Sequence, residues 1–284
     1  MTYVMSDIHG NLRRFRSVMR QIDLRPSDTL YVLGDVIDRY PDGIRILREL
    51  IAKPNVRMIP GNHEHMMLNA LDTPLDGKDN VSFYLRRNRL SLWYRNGGRV
   101  THDYLKHIRK DTRAAVFAYL RALPLQEDIE IGGVRYRLIH GGDLNDYGRY
   151  GYKYEDETSY VVWHRRSGQE APSKDYVVIF GHTPTLHYQN DQPLRIWHGN
   201  RQIGIDCGSG YPETPDIWGR QFYGRLSCLR LDDMREYYSE EQYEEDRATA
   251  TERLMSELEK GKRSGAVQGY SPLKQAAAEV SETE

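Results

Sequence analysis

The chain has 284 residues, with 40 Lys and Arg against 41 Asp and Glu, a net charge of -1, and two cysteines. That length suits one substantial α/β core, and the balanced charge argues against a generic polyanion binder, so no nucleic-acid partner is expected. Cys207 and Cys228 are too few and too far apart for a disulfide framework or a zinc knuckle, and no stretch is apolar for long enough to cross a membrane; with a start that runs straight into the first strand, this reads as a cytoplasmic protein with no membrane partner.

Taken in chain order, short apolar runs alternate with amphipathic ones. YVM at 3 to 5 reads as a strand and leads into SDIHGN at 6 to 11; NLRRFRSVMRQI at 11 to 22 reads as a helix. TLYVL at 29 to 33 leads into GDVIDRY at 34 to 40, a helix follows over 43 to 51, and VRMI at 56 to 59 leads into GNHEH at 61 to 65. Residues 80 to 122 form a mainly helical insert rich in arginine, Arg86, Arg87, Arg89 and Arg95 among them, which reads as a solvated face or as a basic rim for an acidic substrate. YRLI at 136 to 139 leads into IHGGD, an aromatic and Gly-rich loop is expected over 146 to 160, and YVVIF at 176 to 180 leads into GHTP. Runs at 193 to 199, 201 to 208 and 224 to 231 read as strands of a second sheet. This pattern predicts βαβ units in an α/β fold, closed into two sheets flanked by helices. A catalytic domain over 1 to 235 is expected, with a tail over 236 to 284 that is charged and helical at first and disordered from Gly261.

The five motifs share one form, an apolar run ending in Asp, His or Asn beside a glycine. A strand end can deliver a carboxylate or imidazole into the crevice at the carboxyl edge of a sheet, and glycine lets the backbone turn away. Asp and His in DIH, Asp in GDVID, Asn and His in GNHE and two later histidines make an oxygen and nitrogen set without thiolates. That set suits Mn, Fe or Zn, and it is too large for one tetrahedral ion. Two cations bridged by a carboxylate and a water would use all of it, and the expected reaction is hydrolysis of a phosphate ester.

The spelling and order D-x-H-G, G-D-x-x-D-R, G-N-H-E, H-G-G and G-H resemble the calcineurin-like metallophosphoesterases, in particular the phosphoprotein phosphatase branch with its bacterial and bacteriophage-type members. The resemblance covers residues 3 to about 231 and implies a four-layer sandwich of two mixed β-sheets flanked by helices. It implies that Asp7 and His9 hold the first metal, that Asp35 bridges, and that Asn62, His140 and His182 complete the second. His63 would be the proton donor to the leaving oxygen, oriented by Asp38, with Arg39 and Arg165 as phosphate-binding arginines. Two departures matter. Pro184 stands where many relatives outside this branch carry a second histidine, and Tyr40 replaces the glycine of the family's D-R-G. The resemblance implies a serine/threonine-type protein phosphatase using a metal-bridging hydroxide and two divalent ions, with Mn first and Fe or Zn next. Its substrate would be a phosphorylated protein or a small phosphoester. A dinucleoside tetraphosphate hydrolase is the alternative, and a phosphate-binding scaffold without catalysis the third.

Overall fold

The computed structural model describes residues 1 to 72, 80 to 170, 173 to 212 and 223 to 239. Ten strands form two five-stranded mixed sheets among these residues. In the first sheet β1 (Thr2–Met5), β2 (Thr29–Val32) and β3 (Val56–Met58) run parallel, with Thr2 opposite Thr29 and Leu30 opposite Val56. Helices α1 (Leu12–Ile22) and α2 (Gly43–Ile51) provide the crossovers. In α1, Asn11 caps the first turn by accepting the Arg14 N–H at 3.1 Å. Phe15, Val18 and Ile22 then bury one face, and Ile44, Leu47 and Leu50 do the same for α2. After α3 (Asn62–Leu71), the stretch from 80 to 122 is occupied by α4 (Asn80–Arg95), α5 (Arg99–His107) and α6 (Lys110–Arg121). Trp93, Leu105, Phe117 and Leu120 from these three helices join the core between the first sheet and its helices. Each such fully buried large side chain is worth roughly 1.5 to 3 kcal/mol, so the insert is part of the fold.

The second sheet runs β4 (Gln126–Ile131), β5 (Val134–Ile139), β6 (Val177–Phe180), β8 (Gln202–Gly204) and β7 (Trp197–Gly199), with β5, β6 and β8 parallel. The two sheets pack face to face through Val4, Leu33 and Ile59 on one side and Leu138, Ile179 and Ile203 on the other. Strand β1 shows why its sequence is apolar throughout. Tyr3 and Met5 face the helical layer while Val4 faces the second sheet, so both surfaces are covered.

Two expectations about sheet membership need correction. The run at 224 to 231 is not in the second sheet: β9 (Ser227–Arg230) pairs antiparallel with β1, Val4 opposite Leu229. Its Cys228 faces the helical core and its Leu229 the inter-sheet core, a double burial that fits it beside β1. The strands at 136 to 139 and 176 to 180 belong to the second sheet, because the three-helix insert carries the chain away from the β3 edge. The domain boundary at 235 falls within β10 (Arg235–Tyr238), which extends the first sheet beyond β9. Its two polar residues hide it from pattern reading, and Tyr237 and Tyr238 alone are buried. The chain divides into Met1–Glu240 and Glu241–Glu284; the tail expectations from 240 onward lie outside the described residues. Among the described residues no helix is long and apolar enough to cross a membrane.

Candidate metal centre

All five motifs follow the carboxyl ends of strands. Asp7 follows β1, Asp35 follows β2, Asn62 follows β3, His140 follows β5 and His182 follows β6, so the two sheets empty onto one basin. The turns are tight. Of the ten non-glycine residues with positive φ among those described, six are Asp7, His9, Asp35, Asp38, Arg39 and His182. Left-handed backbone at ordinary residues costs about 1 to 2 kcal/mol each, which the fold tolerates where surrounding contacts dictate the conformation. Close approach supplies some of that dictation. Gly34 has φ +83°, and a Cβ there would lie 2.4 Å from the Gly61 nitrogen; a Cβ on Gly61 would lie 2.1 Å from Asp35 Oδ1. Two facing glycines thus press the β2 and β3 turns together.

Glu64 locks that junction. Its buried carboxylate accepts the N–H groups of Asp35 (2.8 Å) and Gly61 (2.9 Å) at Oε2, and those of Val36 (2.9 Å) and Ile37 (3.4 Å) at Oε1. Standing in the first turn of α3, it also suits the positive end of the helix. In the sequence Glu64 is only the last letter of G-N-H-E, and its structural task is not visible there.

Asp35 lies at the centre of the basin. Its Oδ2 is 3.8 Å from His9 Nε2 and 3.9 Å from His63 Nε2, and its Oδ1 is 3.6 Å from His140 Nε2. Two donor groups share it: His9, Asp35 and His63, and Asp35, His140 and His182. Asp7 joins the first through Oδ1, 3.9 Å from His9 Nε2, and accepts the backbone N–H of His182 at 3.1 Å. Backbone carbonyls select the imidazole tautomers. His9 Nδ1 donates to Ile37 O and His140 Nδ1 to Leu33 O, leaving each Nε2 as a lone pair; His182 Nε2 donates to Trp163 O, leaving Nδ1. With Nδ1 so engaged, His140 Nε2 faces Asn62 Oδ1 at 3.1 Å, lone pair to lone pair. That arrangement fits a cation between them.

Electrostatics agree with the donor set. Burial, then Asp206 and Asp35, raise the Asp7 carboxyl well above its ordinary range, which is the signature of crowded carboxylates without a counter-charge. Burial holds His9 and His182 well below the usual histidine value, so both are neutral imidazoles suited to ligation. His63 behaves otherwise. Burial opposes its charging, but Asp35 and the Asp38 hydrogen bond outweigh burial and raise it, with Nδ1 donating to Asp38 Oδ2 at 2.7 Å.

Asp206 was not foreseen. Buried at the end of the β8 segment, it accepts the Gly208 N–H at 2.9 Å and adds a third carboxylate beside Asp7 and Asp35. The signal was present: IDCG at 205 to 208 has the same form as the five motifs, an apolar residue, Asp and then Gly. Three buried carboxylates make cation binding stabilising. Adding a suitable divalent cation at about 100 times its Kd is expected to raise the unfolding free energy by about 2.7 kcal/mol, checked as a calorimetric Tm increase that a chelator reverses.

The two expected arginines border opposite sides. Arg39 is exposed and donates its backbone N–H to Gly97 O at 3.2 Å; Gly210 roofs it and His9, since a Cβ there would fall 2.5 Å from Arg39 Nη1 and 2.4 Å from His9 Cδ2. Arg165 is exposed and donates to His182 O at 3.3 Å. Its neighbour Arg166 is buried, 2.9 Å from Glu170 and 3.2 Å from Gln202, so only Arg165 is presented to the basin. Tyr40 does not lie loose beside Arg39: its hydroxyl donates to Tyr211 O at 2.8 Å and ties down the roof segment. The expected loop at 146 to 160 is largely folded into short helical turns, α7 (Tyr147–Tyr150) and α8 (Glu157–Trp163) among them. Its tyrosines 147, 150 and 154 pack on Tyr160 and His164.

Known proteins resemble this chain over a quarter to four fifths of its length. Serine/threonine-protein phosphatase 2 of Escherichia coli is 28% identical over 218 residues, covering 73% of this chain and 87% of its own length. The symmetrical bis(5'-nucleosyl)-tetraphosphatase of Chromobacterium violaceum is 26% identical over 286 aligned positions, with coverage of 81% and 92%. The corresponding protein of Pectobacterium atrosepticum is 36% identical, but over 69 residues, a quarter of each chain. Among solved structures, a metallophosphoesterase from Sphaerobacter thermophilus covers 84% of this chain and 86% of its own at 17% identity, with a TM-score of 0.45. The calcineurin-like phosphoesterase model matches residues 2 to 206, a span that holds the ten expected site residues and Asp206, and the chain therefore belongs to the calcineurin-like phosphoesterase family.

Proposed function

We propose that this chain is a dinuclear metal-dependent phosphomonoester hydrolase of the serine/threonine phosphatase type, with Mn as the working cation and the cytoplasm as its place. The observation that carries the reading is the His63–Asp38 pair, 2.7 Å long and fully buried, standing against the Asp35 carboxylate that both donor groups share. Asp7, His9 and Asp35 would hold the first cation, and Asp35, Asn62, His140 and His182 the second. When bound, the cations supply Lewis acidity to the phosphate oxygens and activate a water. Arg39 and Arg165 grip the remaining phosphate oxygens from opposite sides, where a guanidinium matches two oxygens at once. His63, whose pKa burial lowers but Asp35 and the Asp38 hydrogen bond raise on balance, donates its Nε2 proton to the leaving oxygen. The two buried, unpaired thiols of Cys207 and Cys228 support a reducing compartment.

Relatives named for two activities make the substrate the point to test. With Mn present, kcat/KM is expected to be higher for a phosphoserine peptide than for diadenosine tetraphosphate. A preference for the dinucleotide by more than about tenfold, ~1.4 kcal/mol in barrier height, would replace this reading with the tetraphosphatase one. His63→Asn is expected to lower turnover of the peptide by a factor of about 10² or more with metal content unchanged. No metal-stimulated turnover in the native chain would leave only the scaffold.

A further inference from the structure

Asp38 has a second partner that lies outside every motif. Its Oδ2, which accepts from His63 Nδ1, also accepts from the indole Nε1 of Trp93 at 2.8 Å. Its backbone N–H donates to Thr101 Oγ1 at 3.0 Å, while its Oδ1 is buried with no hydrogen-bond partner. Trp93 and Thr101 sit on α4 and α5 of the insert.

The corner between those helices is shaped around the indole. Trp93 is fully buried, its ring 5.6 Å from that of His102. Gly98 allows the approach, because a Cβ there would fall 2.3 Å from Trp93 Nε1, and the Gly98 N–H closes the corner on Trp93 O at 3.0 Å. A tryptophan that only filled space would leave its N–H wherever packing put it. Here the N–H reaches one carboxylate oxygen of a residue with φ +72°, the same oxygen that orients the imidazole.

We propose that Trp93 is a positioning residue for proton donation by His63, so that the insert takes part in catalysis through Asp38. This rests on the reading of His63 as the proton donor. Two donors on Oδ2 hold the carboxylate in one rotamer, and that rotamer keeps His63 Nδ1 engaged and Nε2–H directed toward the substrate. As a water oxygen bonds to phosphorus and the P–O bond to the leaving oxygen breaks, that bond's electron pair stays on the leaving oxygen and the Nε2 proton joins it, leaving a neutral imidazole that regains a proton from solvent as the attacking water loses one. With Oδ1 already unpartnered, loss of the indole N–H leaves the carboxylate held by His63 alone, and the ring gains freedom to turn away.

The test uses leaving groups, since an alkoxide needs the proton and an acidic phenolate does not. The full chain carrying Trp93→Phe is expected to lose about tenfold or more in kcat on a phosphoserine peptide, but less than about twofold on 4-nitrophenyl phosphate, with KM and metal content unchanged. The same split is expected when 3-benzothienylalanine, isosteric with tryptophan but lacking the N–H, is incorporated at 93, and this variant keeps the core filled. Equal losses on both substrates, or no loss on either, would overturn the role of Trp93. His63→Asn run in parallel separates the two ideas. If it too shows no split, the reading of His63 has failed; if it shows the split and the position 93 variants do not, only Trp93 has.

Discussion

Asp35→Asn is expected to lower metal-stimulated turnover by about 10³-fold or more, since a carboxylate facing two cations contributes several kcal/mol and each ~1.4 kcal/mol is a factor of ten. Asp35 is the one side chain shared by both donor groups, within 3.9 Å of His9, His63 and His140. An amide at this position keeps an oxygen to accept the His63 backbone N–H, which Asp35 Oδ1 now accepts at 3.0 Å, so the fold should survive. What disappears is the negative charge at the centre of four histidines and two further carboxylates. The measurements are turnover of an aryl phosphate and metal content by elemental analysis. Two well-occupied cations with more than about a tenth of native turnover, a change under ~1.4 kcal/mol, would remove Asp35 from the shared position.

The largest expected effect on stability belongs to Glu64. Its two oxygens collect four backbone N–H groups from two separate turns, all buried. Hydrogen bonds to a charged group are worth about 1.5 to 3 kcal/mol each, and buried donors left without a partner cost comparable amounts. Glu64→Ala should therefore cost about 4 to 6 kcal/mol, a large part of the roughly 5 to 15 kcal/mol by which domains are stable. Glu64→Gln should cost less, because one amide oxygen still accepts while the amide nitrogen opposes the remaining donors. Urea unfolding followed by tyrosine and tryptophan fluorescence gives both values. A loss below about 1 kcal/mol for Glu64→Ala would mean that the four N–H groups find water or other partners when the carboxylate is gone.

The motif residues were legible because their chemistry is local. An apolar run followed by Asp or His and a glycine declares a strand end and a ligand in the same few letters, and the structure brings Asp7, His9, Asp35, Asn62, His140 and His182 around one basin. Arg165, which the resemblance singles out, is exposed, while its neighbour Arg166 is buried against Glu170 and Gln202. Long-range partners were not legible. The pairing of β9 with β1 joins residues more than two hundred positions apart, and nothing in GRLSCLRL states which sheet it will enter. Trp93 reads as a core residue in a charged helix, and only the fold shows its N–H on Asp38. Glu64 reads as part of a motif, although three of its four partners lie in the turn after β2.

The donors are drawn from both sheets, Asp7, Asp35 and Asn62 from the first and His140 and His182 from the second. A cation held between them would work as a rivet across the seam. Closing the seam and loading the second site then become one linked equilibrium, and the linkage runs equally in both directions. Any pressure, denaturant or mutation that loosens Val4 and Ile59 from Leu138 and Ile179 would thereby also be an inhibitor, because it would lower cation affinity by the same factor with which a cation resists the loosening.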